Sequence, residues 1–201
     1  VTWKDQSGNG NDLTQSTGGN QPTIYRGGAL VKEGGRIAMN FDGTNDDFEI
    51  TNTGLDIGNL SSFMIGKFET TGNQIMLSLS GGSSPSNKRW YMGYVNGGNI
   101  NFGYASASTA FNTPVNTNQN LFSMIAGSTQ GNASAFLNGN TLGTATLATG
   151  LSSDQQAAVG SFNNSFYTDG NIQEVIYYSA DKSTNRNSIE ENIGDYFTQN
   201  T

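Results

Sequence analysis

Asp47 and Glu49 stand two residues apart in Asp47-Phe48-Glu49-Ile50, so on a strand both carboxylates point to one face while Phe48 and Ile50 point to the other. Paired carboxylates are the equipment of a glycosidase, one protonating the leaving oxygen and the other serving as base or nucleophile. The pair has no third acid to support it: Glu174, the most suggestive remaining one, has Ile176 two positions on. The chain contains no His and no Cys, which removes imidazole and thiolate chemistry, Ser-His-Asp triads and the common zinc sites. Asp47 and Glu49 are expected to be solvated carboxylates on an edge hairpin, and the chain is expected not to be an enzyme.

A second oxygen-rich stretch lies near the N-terminus, Trp3-Lys4-Asp5-Gln6-Ser7-Gly8-Asn9-Gly10-Asn11-Asp12. Set on a calcium-binding EF-hand loop, Asp5, Ser7, Asn9 and Asn11 take the first four alternate ligand positions and Gly10 the glycine position. Ser16 falls where that loop needs a bidentate Glu, and no helix pattern flanks it, so an EF-hand is rejected. The first reading is a pair of turns in which Asp5 accepts backbone N–H bonds. The second is a looser structural calcium site built from Asp5, Asn9 and Asn11; no other cofactor is expected.

Aromatic residues gather in a third place: Trp90, Tyr91, Tyr94, Phe102 and Tyr104 belong to one expected hairpin. Aromatic faces stack on the C–H faces of sugars while amides and carboxylates take the hydroxyls. Alternation puts Trp90, Met92 and Tyr94 on one face and Tyr91, Gly93 and Val95 on the other, and one of these faces must be core. Tyr91 and Tyr104, with Arg89 and Asn101 beside them, are the expected exposed platform; Trp3 is expected to be buried.

These residues need a scaffold, and the pattern around them specifies one. Apolar residues recur mostly with a period of two between clusters of Gly, Asn and Ser, which predicts strands at 36–41, 47–50, 62–69, 74–80, 89–95, 99–105, 121–128, 133–138, 141–146, 157–162 and 172–178. Asn96-Gly97-Gly98 and Asn138-Gly139-Asn140 are hairpin turns by their tolerance of positive φ. Residues 81–88 and 107–120 read as long loops. One segment departs from this period: Ile189, Ile193, Tyr196 and Phe197 share a helical face, predicting an amphipathic helix over 184–197. A chain of 201 residues with this pattern is expected to be one domain, residues 1–201, an all-β antiparallel sandwich of two sheets closed by one C-terminal amphipathic helix.

Composition narrows the partners. Only 12% of residues are charged, and the net charge is −7 with nine Lys and Arg in all, so neither nucleic acid nor an anionic membrane is expected to bind. No apolar run reaches the roughly 20 residues that span a bilayer. Asn59-Leu60-Ser61, Asn132-Ala133-Ser134 and Asn163-Asn164-Ser165 match the glycosylation triplet, as an Asn- and Ser-rich chain does by chance.

Taken in order, the tryptophan-led stretch at 3–12, Gln21-Pro22-Thr23, the hairpin Phe41-Asp42-Gly43-Thr44-Asn45-Asp46-Asp47-Phe48, the Asn138-Gly139 turn and the closing Gly170-Asn171-Ile172-Gln173-Glu174-Val175-Ile176-Tyr177-Tyr178 resemble the concanavalin A-like, laminin-G-like jelly-roll domains of bacteria and phages. The resemblance covers nearly the whole chain and implies a concanavalin A-like jelly roll. Such domains usually place a strand before the tryptophan motif, which here would come from a longer chain or a partner segment. Glucanases of this fold carry an E-x-D-x-(x)-E strand, and no such run occurs here. The implied function is a non-catalytic carbohydrate-binding or adhesion module, part of a longer protein on a virion or bacterial surface, whose partner is a glycan or cell-surface polysaccharide. The alternative is a structural or assembly domain, such as a virion decoration or fibre protein, partnered by other virion or surface-protein chains. A polysaccharide-active enzyme comes third.

Overall fold

Residues 1–51, 59–81, 89–104, 107–126, 132–146, 155–162 and 164–198 are described by a computed structural model. The strands of the first quarter are short: β1 (Thr2–Trp3), β2 (Leu13–Thr14), β3 (Tyr25–Arg26), β4 (Ala29–Leu30), β5 (Lys32–Glu33), β6 (Arg36–Ile37), β7 (Met39–Asp42) and β8 (Phe48–Thr51). Gly, Asn and Asp interrupt that region too often for longer strands. Longer ones follow as the alternation lengthens: β9 (Ser61–Phe68), β10 (Gln74–Gly81), β11 (Arg89–Asn96), β12 (Asn99–Tyr104), β13 (Ala107–Pro114), β14 (Gln119–Ala126), β15 (Asn132–Leu137), β16 (Asn140–Thr146), β17 (Gln155–Val159) and β18 (Asp169–Tyr178). The chain ends in α1 (Arg186–Thr198).

Two sheets face each other. One has the order β1-β2-β8-β17-β10-β11-β12-β13 and the other β16-β15-β14-β9-β18-β7, while β3–β4 and β5–β6 are separate small hairpins. The pairings are antiparallel, which makes the expected jelly-roll sandwich. Both turns expected from the sequence join the strands they should; in the second, Asn138 and Gly139 adopt φ of 50° and 78°, as a hairpin twisted with its strands requires.

Inward positions of both sheets fill one core. Phe41, Phe48, Phe68, Trp90, Phe102 and Phe122 are fully buried in it. A polar bond crosses this core, the Trp90 indole N–H donating to the Ser62 hydroxyl at 2.9 Å from β11 to β9. Ser62→Ala removes the hydroxyl that the buried indole uses, so urea denaturation is expected to show a loss of about 2 kcal/mol.

The two outer faces are treated differently. Over the six-stranded sheet, Ile193 and Phe197 of α1 pack on Phe63, Ile65, Leu121 and Ile125. The hairpin region before β7 is tied to the same sheet through Glu33, which accepts from Lys67 at 3.0 Å and from Asn171 at 2.8 Å. The helix begins at Arg186, two residues later than expected. Tyr196 is exposed rather than packed in the core, because it lies at the border of the apolar stripe, where its neighbour is the Arg36 guanidinium 4.1 Å from its ring centroid.

Two expectations about the eight-stranded sheet are corrected. Residues 107–114, read as loop, form the edge strand β13; its small polar residues and terminal Pro114 suit an edge, which has only one neighbour and needs little apolar surface. The strand carrying Glu49 is not an edge. It lies between β2 and β17, contributed from positions far before and far after it.

Candidate functional site

A rank of paired residues crosses the eight-stranded sheet: Thr14 with Glu49, Glu49 with Ala158, Ala158 with Ser78, Ser78 with Tyr91, and Tyr91 with Gly103. Their chain neighbours Ala157, Leu77, Leu79, Trp90 and Met92 belong to the core, so alternation turns the rank outward. At one end of it a groove of about 330 Å³ opens between β2 and β8, lined by Asp12, Thr14, Gln15, Ser16, Glu49 and Ile50. That volume is at the lower end of small-molecule sites, roughly 300 Å³ and upward.

The carboxylates around this groove have unequal freedom. Asp47 is buried, not solvated: Gln15 Nε2 donates to its Oδ1 at 2.5 Å and the Ser161 hydroxyl to its Oδ2 at 2.8 Å. Those bonds replace the water it gives up when β2 and the strand end after β17 close over it. Asp12 is held by the Lys4 ammonium at 2.5 Å and by the Asp5 N–H at 2.9 Å. Glu49 is half-buried; burial, and then the charge of Asp47, push its carboxyl above the usual carboxylate range, while a hydrogen bond from Gln156 partly offsets them. Asp46, buried beside them, is pushed up to about 6 by burial first and then by the charges of Asp42 and Asp47.

The segment between β17 and β18 packs on the same sheet. Thr168 Oγ1 donates to the Ile75 carbonyl at 2.7 Å, and Ser78 Oγ donates to the Ser161 carbonyl at 2.8 Å, pinning the segment between β17 and β18 onto β10. The segment places Tyr167 near enough to Asp47 and Glu49 that their charges, after burial, raise its phenol. Phe166 beside it is exposed at a φ of 54°, a conformation that costs an aromatic residue energy and is tolerated where the surroundings enforce it.

The expected aromatic platform is not assembled. Tyr91 is only 6% exposed, packed with Ile75 and Phe162. Its ring lies flat over Gly103, where a Cβ would fall 1.7 Å from the ring; the missing side chain opposite and the loop above bury a residue that alternation correctly turned outward. Asn101 is buried, its amide donating to the Asn99 carbonyl at 2.9 Å. Tyr104 pairs with Trp90, not with Tyr91, so the two tyrosines fall at successive cross-strand pairs and not in one. The side chains of Arg89 and Tyr104 lie outside the described residues. Trp3 is half-buried against the core, its ring 6.0 Å from that of Phe48.

The N-terminal stretch folds as turns around Asp5. Its Oδ1 accepts from the Ser7 N–H at 2.7 Å and its Oδ2 from the Asn11 N–H at 2.9 Å; the Ser7 side chain first, and then these backbone bonds, hold this carboxyl below the usual range. Asn9 turns its amide onto the Ser7 hydroxyl. Among the described residues no three acidic side chains are grouped to hold a metal, so a calcium ion at Asp5, Asn9 and Asn11 would draw one carboxylate already serving two amides. The expected result is that Asp5→Ala lowers the melting temperature, whereas a chelator leaves the wild-type value unchanged; a drop on chelation would place a cation in this loop.

Sequence comparison is silent: no protein-family model matches the chain, and no curated protein sequence does. Solved structures do match. Domain 4 of AbnA, an extracellular GH43 arabinanase from Geobacillus stearothermophilus solved with arabinotriose, aligns with a TM-score of 0.58 at 13% identity, over 84% of this chain and 79% of that one. A heptameric SAP-like pentraxin from Limulus polyphemus aligns with a TM-score of 0.59 at 12% identity, over 78% and 82%. These likenesses show the fold, a two-sheet β-sandwich jelly roll. The CBM40 domain of Ruminococcus gnavus IT-sialidase, also solved with α2,3-sialyllactose, aligns with a TM-score of 0.52 at 12% identity, over 65% and 81%.

Within this sandwich, sequence reasoning weighed Glu49 only as half of a carboxylate pair, set it aside as solvated, and missed the groove around it. Thr14 and Ser16 are followed by no pattern that marks them. Gln156 and Tyr167 come from the far end of the chain, and the only signal near Tyr167 was a glycosylation triplet. No helix among the described residues is long and apolar enough to cross a membrane.

Proposed function

We propose that this chain is a non-catalytic carbohydrate-binding module of laminin-G-like kind, carried by an extracellular protein of a virion or bacterial surface, and that it holds a glycan in the groove at Glu49. The carrying observation is the groove itself: on the outer face of the eight-stranded sheet, a half-exposed carboxylate, the exposed Thr14 and Ser16, and Asp12 and Gln15 line one concave surface. Such a lining suits hydroxyl groups, each of which donates one bond and accepts others.

The arrangement argues for binding without turnover. A glycosidase needs two carboxyl groups free to reach the scissile bond, and Asp47, the partner that spacing offered to Glu49, spends both oxygens on Gln15 and Ser161. The likeness to domains solved with arabinotriose and with sialyllactose supports the same reading by analogy of fold.

A broad glycan array run beside a polysaccharide turnover panel tests this. Binding of a glycan subset with no released product is the expected result. Turnover of any polysaccharide would overturn the non-catalytic assignment, and silence on the array would overturn the binding one.

A further inference from the structure

We propose that the Glu49 groove takes uncharged glycans and rejects acidic ones, a selectivity that rests on the carbohydrate-binding reading above and follows from what the groove can donate and accept. Among the described residues its lining contains two carboxylates, Asp12 and Glu49, and no Lys or Arg. The Lys4 ammonium is committed to Asp12 at 2.5 Å. Behind the lining, Asp47 adds a buried negative charge whose neighbours Gln15 and Ser161 are neutral.

The amide donors are committed in the same way. Gln15 gives its Nε2 hydrogens to Asp47 and the Gln156 amide serves Glu49. What faces a ligand is therefore the Glu49 carboxylate as acceptor, with the hydroxyls of Thr14 and Ser16, exposed on either side of Gln15. Adjacent sugar hydroxyls can donate to the two oxygens of one carboxylate, as two parallel N–H groups do in an Arg pair. With Asp12 neutralised by Lys4, a sialic acid, uronate or sulfate would bring its negative charge against Glu49 and Asp47 with no uncommitted cation among the described lining residues to receive it, and burial strengthens that repulsion relative to water. The acidic form of a glycan should bind at least about tenfold more weakly than its neutral counterpart.

The test compares matched pairs on the intact chain: neutral oligosaccharides against their sialylated, uronate-containing or sulfated forms, on an array and by titration calorimetry, for wild type and Glu49→Gln. The expected result is binding confined to neutral members, with Glu49→Gln weakening them and narrowing the gap to the acidic members while the melting temperature is kept. Acidic glycans that bind as tightly as their neutral partners, and are competed by them, would overturn the selectivity and leave the carbohydrate-binding reading standing. No binding of either class would overturn that reading and the selectivity with it. Selectivity unchanged in a folded Glu49→Gln chain would remove the site from this groove.

Discussion

Glu49→Gln is expected to weaken binding of the best neutral glycan about 10- to 100-fold, because hydrogen bonds to a charged group are worth about 1.5–3 kcal/mol. The substitution keeps the shape of the side chain, the Gln156 contact and the packing of β8, so it separates binding from folding. It also relieves repulsion from Asp47, which helps push the Glu49 carboxyl above its usual range. The folded chain should therefore be no less stable than wild type. Binding should also fall as pH drops through the raised pKa of Glu49, since the protonated acid accepts fewer hydroxyls. Titration calorimetry with paired thermal melts measures both; full affinity in the variant would exclude Glu49 as the ligand's acceptor.

Asp46→Asn should act on stability and only above a certain pH. The folded chain holds the Asp46 carboxyl at about 6 against an ordinary 3.8, so the native state binds this proton more tightly than the unfolded one. The stability contributed is fully present below about pH 4, fades between 4 and 6, and is gone above 6. At pH 8 the charge therefore costs the fold at most about 3 kcal/mol, two units at about 1.4 kcal/mol each. Asparagine keeps an oxygen for the Asp42 N–H that Asp46 accepts at 3.1 Å and carries no charge. Urea denaturation should show Asp46→Asn more stable than wild type at pH 8 and indistinguishable from it at pH 4. A variant less stable at pH 8 would mean that the ionised carboxylate makes a bond that an amide does not replace.

The repeating parts of this molecule were open to sequence reasoning, because strands, hairpin turns and an amphipathic helix each carry a local period or a local turn chemistry. The Asn138-Gly139 turn, the alternation in β9 to β12 and the apolar stripe of α1 all appear where the pattern put them. Edge strand β13 escaped because an edge, hydrogen-bonded here to β12 alone, needs no alternating apolar pattern. The groove escaped for a different reason. Its lining comes from the stretch around β2 and from β8, and no sequence spacing connects Thr14 with Glu49. Tyr91 shows the same limit from the other side: alternation gave its face correctly, but only the Gly103 opposite and the loop bearing Phe162 decide that it is covered.

The most direct test of the account is a map of where a glycan touches. Backbone amide shifts recorded while a neutral oligosaccharide selected on the array is titrated into the labelled chain should move at Thr14, Ser16, Glu49, Gln156 and Tyr167, and leave α1 unmoved. Saturable shifts confined to α1 or to the β11–β12 hairpin, with the Glu49 groove silent, would contradict it.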